Sequence, residues 1–358
     1  MKLGLLRELD DTRVAIVPEG LKKLKPLGLE FYIEKSAGEK SMFSDAEYAE
    51  FGQVVSRDEV LKGSEIIVSI QPLEEEDLKK LSKDTMVIGQ YQPFLDTEIT
   101  GKLKNMGIRG MSMDMIPRTT LAQSMDVLSS MASIAGYKAV LEASRLLPRY
   151  FPMMITAAGS LKPAKVLILG AGVAGLQAIA TAKRLGAQVE AFDTRRAAKE
   201  EVESLGAKFV EVEGAVDDTS AGGYAVAQSE EFLKKQRAEV QARAIKSDVI
   251  IATAQVRGRK APVLVDAETV DQMQPGSVII DLAASTGGNC ALTQDKKLIN
   301  HKGVLILGDS NLPALMPQDA SKLYSNNIFN FLKYWIKDGN MNLNMEDEII
   351  KGAFFTAG

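Results

Sequence analysis

The sequence holds one cysteine, one histidine and no long apolar run, and each scarcity removes a class of function. Cys290, alone, permits no internal disulfide and builds no metal site by itself, which suits a reducing cytosol. It reads as a small buried hydrophobe. His301 lies in the polar stretch Leu298 to Gly303, which reads as a turn between a helix and a strand, away from the strand C-termini; a solvated surface residue is expected there. No window approaches the roughly eighteen uninterrupted apolar residues that a membrane helix needs, so any membrane role is expected to come through a partner. The N-terminus carries acidic residues where an export signal needs an apolar core, and no such signal is expected. A formal net charge of -4 provides no basic field for a phosphate backbone, and nucleic acid is not expected as a partner.

What is present is the composition of a packed protein, 46% hydrophobic and 25% charged, over 358 residues, more than one core usually organises. Two domains are expected. Lys2 to Leu6, Leu29 to Glu34, Glu65 to Ile70, Thr85 to Gly89 and Ile108 to Met113 read as strands, and Glu19 to Leu27, closed by Gly28, as a helix. Thr120 to Leu147 has no proline and places Leu121, Met125, Leu128, Met131 and Ile134 at helical spacing, which predicts a long helix bridging two domains. A second α/β unit follows, with strands at Lys165 to Leu169, Val189 to Phe192, Lys208 to Val212, Val249 to Ala252, Ser277 to Asp281 and Val304 to Leu307. The helical run Ser321 to Ile336 is placed to return to the first domain. The expected class is therefore α/β, two Rossmann-like doubly wound domains with a cofactor cleft between them: residues 1–128 plus 320–358, and residues 129–319.

The most specific motif is Lys165-Val-Leu-Ile-Leu-Gly170-Ala-Gly172-Val-Ala-Gly175, a strand running through GxGxxG into a helix. Gly170 serves the tight turn, Gly172 the approach of a pyrophosphate, and Gly175 close helix–strand packing; Val173 offers its backbone N–H to a phosphate oxygen. The next strand ends at Asp193, 18 residues beyond Gly175, where an acid accepts hydrogen bonds from the adenosine ribose. Thr194 and Arg195 follow as further cofactor-binding candidates. A carboxylate there repels a 2′-phosphate, whereas Arg195 and Arg196 are able to receive one, so the motif favours NAD over NADP.

Between the units, Met115-Ile-Pro-Arg118-Thr-Thr-Leu-Ala-Gln123-Ser-Met-Asp126-Val-Leu-Ser129-Ser130 mixes polar groups into an apolar segment. Periodicity alone reads it as an ordinary helix start with Asp126 as a surface charge. The stretches PRTTLAQSMDVLSSMASIAGYKAV, ILGAGVAGLQAIATAKRLGAQVEAFDTR and DLAASTGGNC closely resemble domain I of proton-translocating NAD(P) transhydrogenases. The pattern shared with alanine dehydrogenases also covers RELDDTRVAIVPEG and GDSNLPALMPQDASKLYSNNI, nearly the whole chain.

The resemblance implies that Arg118, Gln123, Asp126 and Ser129 surround a bound nicotinamide, with Gln123 helping to set the approach of two rings. Hydride then passes directly between NAD(H) on this chain and NADP(H) on a partner, which demands positioning rather than acid/base chemistry. It also implies a closing loop over Val212 to Gln228, with Tyr224 and Gly223 near the cofactor, and a cleft lining at Thr253, Ala254 and Gln255. Asp281 to Cys290 reads as a strand end and flexible turn on the nicotinamide side. No metal site is expected.

The same resemblance implies a homodimer and two partners, a membrane domain that conducts protons and an NADP(H)-binding component. The expected location is cytoplasmic, at the inner membrane through those partners. The chain shows one fingerprint and neither partner domain, so a separately encoded subunit is expected rather than an excised domain. Two alternatives stay open: an alanine dehydrogenase-like enzyme and a non-catalytic NADH-binding regulator. The first needs a lysine and a histidine in the first domain. Their places read Val68-Ser-Ile-Gln71-Pro72-Leu73 and Gly89-Gln-Tyr-Gln92-Pro93.

Overall fold

Short β-branched runs separated by polar helical stretches cannot pair as hairpins, because a parallel neighbour needs a crossover of a dozen residues or so. In the computed structural model, which describes residues 1–212, 230–256 and 258–356, the chain divides into two units: Met1–Met131 with Pro313–Gly358, and Ala132–Leu312.

The first unit runs β1 (Lys2–Leu5), α1 (Pro18–Leu24), β2 (Glu30–Glu34), α2 (Asp45–Ala49), β3 (Gln53–Val55), α3 (Arg57–Gly63), β4 (Ile66–Val68), α4 (Glu75–Leu78), β5 (Met86–Gly89), α5 (Glu98–Met106) and β6 (Arg109–Ser112). The strands form one parallel sheet of order β3-β2-β1-β4-β5-β6. Five were legible. The sixth, β3, is a three-residue edge strand, too short to carry a period.

The expected long helix starts late. Residues around Gln123–Met125 make a single 3-10 turn, and α6 (Val127–Leu146) begins only at Asp126, whose carboxylate accepts from the Ser129 N–H at 2.9 Å. Asp126 thereby satisfies a first-turn donor that a straight continuation of helix would not have left open. Leu121, expected on the helix, lies exposed before it. The boundary between the two units falls within α6.

After a hairpin, β7 (Met154–Thr156) and β8 (Gly159–Leu161), the second unit runs β9 (Lys165–Leu169), α7 (Val173–Arg184), β10 (Gln188–Phe192), α8 (Ala198–Ser204), β11 (Lys208–Phe209), α9 (Glu230–Ile245), β12 (Val249–Ala252), α10 (Ala267–Gln272), β13 (Val278–Asp281), β14 (Lys297–His301) and β15 (Val304–Gly308). Its sheet has the order β11-β10-β9-β12-β13-β15-β14, parallel except for β14. Val166 and Ile168 pack into one core, Leu167 and Leu169 into the other, so both faces are buried and the strand reads as a continuous apolar run.

β14 corrects the reading of residues 298–303 as a turn. These residues form a polar edge strand, joined to β15 through Lys302 and Gly303, both at positive φ, the hairpin geometry that matches strand twist. His301 ends that strand, a third exposed, with Nε2 2.6 Å from Asp271. It faces the edge opposite the strand C-termini, as its position suggested.

The C-terminal segment returns to the first unit. α11 (Pro317–Trp335) buries Ala320, Tyr324, Ile328, Phe331 and Trp335 along one stripe. Its serines serve the N-terminal loop: Ser321 accepts from the Val14 N–H at 2.9 Å and Ser325 from the Val17 N–H at 3.2 Å. The hairpin β16 (Ile336–Lys337) with β17 (Asn340–Met341) and the helix α12 (Glu348–Ala353) complete that unit.

At the C-terminal edge of the first sheet lies a sealed polar centre. Glu8 accepts from the Ile70 N–H at 2.6 Å and the Gln71 N–H at 3.1 Å. Beside it Asp11 holds the Arg13 guanidinium at 2.9 and 2.6 Å, both side chains buried. Burial pushes the Glu8 carboxyl up to about 7, against the pull of those two N–H groups.

Two outcomes follow from this packing. A Cβ on Gly136 would overlap the Ala174 carbonyl, whereas one on Gly172 meets open space. Gly136→Ala should therefore cost about 1–3 kcal/mol by overpacking, and Gly172→Ala less than about 0.5 kcal/mol, as read from urea unfolding. Glu8, with its folded pKa raised, adds stability at pH below the ordinary carboxylate range, and that stability is lost as pH rises through about 7. Unfolding measured from pH 4 to 8 (about four units) should show wild type losing ground to Glu8→Gln by up to about 1.4 kcal/mol per pH unit; parallel curves would show that Glu8 does not titrate there.

Candidate functional site

The second unit supplies the crevice expected of an open parallel sheet, where strand order reverses between β9 and β12. Gly170 stands at the end of β9 with φ 98, and a Cβ there would crowd the Thr253 hydroxyl. A Cβ on Gly175 would overlap the Gly170 carbonyl, so only glycine lets the first turn of α7 sit directly on the strand end. The N-cap is Gly172, over which a Cβ would meet nothing within 4 Å. Open space thus lies above first-turn N–H groups that have no intrahelical acceptor, Val173 among them, and Val173 is exposed. This cradle fits a diphosphate by geometry and by helix dipole.

Asp193 follows β10 and is held in place by backbone: Oδ2 accepts from the Ala171 N–H at 2.7 Å and Oδ1 from the Arg195 N–H at 2.8 Å. The Arg195 guanidinium, read from sequence as able to receive a phosphate, turns inward instead. It donates to both Asp193 oxygens at 3.1 Å and to the Ala171 carbonyl at 3.3 Å, and the carboxylate raises its already high pKa. A 2′-phosphate at this position would meet the carboxylate and compete with it for that arginine. Thr194 lies between them in sequence.

On the other side of β9, the Thr253 N–H donates to the Leu169 carbonyl at 2.8 Å and its Oγ1 to the Gly170 carbonyl at 3.1 Å. Gln255 donates to the Leu282 carbonyl at 3.0 Å, so its side chain braces the neighbouring strand end. The stretch after β13, read as a flexible turn, is tightly bonded. Asp281, fully buried, accepts from the Asn289 and Cys290 N–H groups and the Thr293 hydroxyl at one oxygen and from the Ala283 N–H at the other. Cys290 is buried and its thiol pKa is pushed up, as befits the small hydrophobe expected. The sequence marked this block but assigned nothing to Asp281 or Asn289; the signal available was an acid followed by Gly287-Gly288-Asn289, a turn that aims N–H groups inward.

In the first unit, the polar segment before α6 is built differently. Asp126, read as a surface charge, is half-buried; its second oxygen accepts from the Ser129 hydroxyl at 2.6 Å. The Ser124 carbonyl accepts from Asn327 at 2.9 Å and Asn330 at 3.2 Å, so α11 holds the 3-10 turn. Arg118 and Gln123 are exposed. Gln123 opens the turn that Asn327 and Asn330 hold, and Arg118 lies in the irregular segment before it. Gly223 and Tyr224 lie outside the described residues. Among the described residues no helix is long and apolar enough to cross a membrane.

Comparison with known proteins agrees over the whole chain. The family model "Alanine dehydrogenase/PNT, N-terminal domain" matches residues 4–135, and "Alanine dehydrogenase/PNT, C-terminal domain" matches residues 139–358. The NAD(P) transhydrogenase subunit alpha of Cereibacter sphaeroides is 43% identical over 99% of this chain and 70% of its own length. A Rhodospirillum rubrum protein, named as the first part of an NAD(P) transhydrogenase subunit alpha, is 40% identical over 99% of this chain and 96% of its own. A crystal structure of transhydrogenase from Sinorhizobium meliloti superposes with a TM-score of 0.91 at 39% identity, covering 99% of this chain and 98% of that one. The chain therefore belongs to the alanine dehydrogenase/PNT family, on the side of its transhydrogenase alpha subunits.

Proposed function

We propose that this chain binds NAD(H) and exchanges hydride directly with NADP(H) held by a partner component of a proton-translocating transhydrogenase. The observation that carries the reading is the cradle at Gly170, Gly172 and Gly175 with Asp193 beside it, in a chain whose relatives are named as transhydrogenase alpha subunits. Bound nicotinamide supplies the hydride chemistry itself. The chain's residues do the rest. The N–H groups at Gly172 and Val173 receive the pyrophosphate, and Asp193 accepts from the adenosine ribose hydroxyls once Arg195 yields its place. Ala254 and its neighbours Thr253 and Gln255 line the crevice through their backbone.

Arg118, Gln123, Asp126 and Ser129 act on the nicotinamide end. Asp126 and Ser129 form one bonded pair at the start of α6, directly after the turn that carries exposed Gln123, and Arg118 is exposed in the segment before that turn. Gly223 and Tyr224 belong to the same reading as a closing segment. The NADP(H)-binding component, a membrane domain that conducts protons, and a second copy of this chain are the proposed partners. Association with the inner membrane from the cytoplasm follows from them.

An amino-acid dehydrogenase finds little to work with. Gln71, in the segment that resembles the family's lysine strand, donates to Asp11 at 3.2 Å, and the buried Arg13 nearby is already paired with Asp11. No histidine is available, because His301 sits on the far edge of the other unit's sheet. A passive NADH-binding regulator would need the cradle but not an exposed Gln123.

Two measurements test this reading. Mixed with NADH and an NADP(H)-binding transhydrogenase component, the purified protein should transfer hydride to NADP+, and with NAD+ and L-alanine it should show no turnover. Tight NADH binding without transfer would favour the regulator, and turnover with alanine would restore the dehydrogenase. Gln123→Asn should slow transfer at least about tenfold, near 1.4 kcal/mol in the barrier, while the Kd for NADH moves less than about twofold; equal losses in both would remove Gln123 from the transfer step.

A further inference from the structure

The segment after β12 is held by a side chain that the fingerprint does not include. Asn289 is fully buried. Its Oδ1 accepts from the Ala254 N–H at 3.0 Å, and its Nδ2 donates to the Ala254 carbonyl at 2.9 Å and the Pro262 carbonyl at 2.8 Å. One amide thus satisfies both polar groups of residue 254, as a neighbouring strand would. Asn289 is fixed in turn, since its own N–H donates to Asp281 at 2.7 Å and its carbonyl accepts from Leu264 at 2.7 Å and Val265 at 3.0 Å. Gly288, at φ 78, brings that N–H inward where a Cβ would stand 2.8 Å from the Asp281 carboxylate. From Ala254 the chain passes to Thr253, bonded to Gly170. A continuous path therefore links a buried carboxylate on β13 to the glycine turn after β9.

Strand order gives the path a direction. β10, β9 and β12 are consecutive in the sheet, so Asp193 and the Thr253–Gln255 segment flank the glycine turn on opposite sides. A dinucleotide with its adenosine ribose at Asp193 and its pyrophosphate over α7 extends its other half above that segment.

We propose that Asn289 is a positioning residue for the nicotinamide half of the bound dinucleotide: it fixes the backbone at Ala254 against the glycine turn without touching the ligand. This rests on the NAD(H) reading above. Removing the side chain takes the partner from two carbonyls and one N–H, so the segment loses its set position.

The test compares NADH with ADP, which lacks the nicotinamide half, on the full chain carrying Asn289→Ala. The Kd for NADH should rise roughly tenfold or more while that for ADP changes less than about twofold. In the nucleotide-free protein, hydrogen exchange at the Ala254 amide should quicken, with the amides of β9 and β10 unchanged. Asn289→Asp, nearly isosteric, keeps the acceptor for Ala254 and loses both donated bonds; its NADH Kd should lie between wild type and Asn289→Ala, and it serves if the alanine variant does not fold. Equal weakening of NADH and ADP would mark a merely structural role and overturn the inference, as would unchanged NADH affinity with faster exchange. Wild-type protein that bound ADP but not NADH would instead sink the NAD(H) reading itself.

Discussion

Backbone rests on backbone where α7 meets β9, and the rest of the second unit is arranged around that contact. Gly175 lies on the Gly170 carbonyl and Gly136 on that of Ala174, with no room for a Cβ at either. The strand end, the start of α7 and the middle of α6 are thus locked at separations that no side chain spaces. Such a contact gains little dispersion energy by itself. Its effect is to bring helix N–H groups to the open end of a strand and leave the space above Gly172 free. Apolar packing on both sheet faces then stabilises an arrangement whose polar end is exposed by construction.

Sequence and structure agree where a residue's role is local. GxGxxG and the acid after the next strand are readable because each glycine answers a constraint within a few residues, and the parallel strands because burial on both faces writes continuous apolar runs. Reading failed where the deciding partner is distant or the element is an edge. β3 and β14 border their sheets, so half their pattern is polar or short. Apolar spacing starts α6 at Thr120, seven residues before Val127, because Leu121 and Met125 mimic a stripe and the Asp126 cap that overrides them uses Ser129.

Arg195 shows how far a site is legible. Its proximity to Asp193 was plain, yet its sign of action was not: a cation two residues from an acid either welcomes a phosphate or neutralises the acid. The geometry gives the second, since Asp193 is clamped by the Ala171 and Arg195 N–H groups in the position that lets the guanidinium fold onto it. Asp281 and Asn289 were illegible for another reason. A buried carboxylate without a cation is tolerable only when several donors converge, and that convergence depends on a turn eight residues further on, a relation no periodicity records.

The two polar centres differ in what they leave open to solvent. In the first unit Glu8, Asp11 and Arg13 are buried, Asp11 holds the Arg13 guanidinium, and Gln71 at the surface donates to Asp11, so the arginine there already has a carboxylate partner. In the second unit the donors at Gly172 and Val173 are left open. A carboxylate beside the arginine in one unit and open backbone donors in the other support the proposed dinucleotide binding over deamination of an amino acid. Hydride exchange between two nicotinamides asks only for that: two rings at fixed distance and angle, with the protein supplying position and no proton.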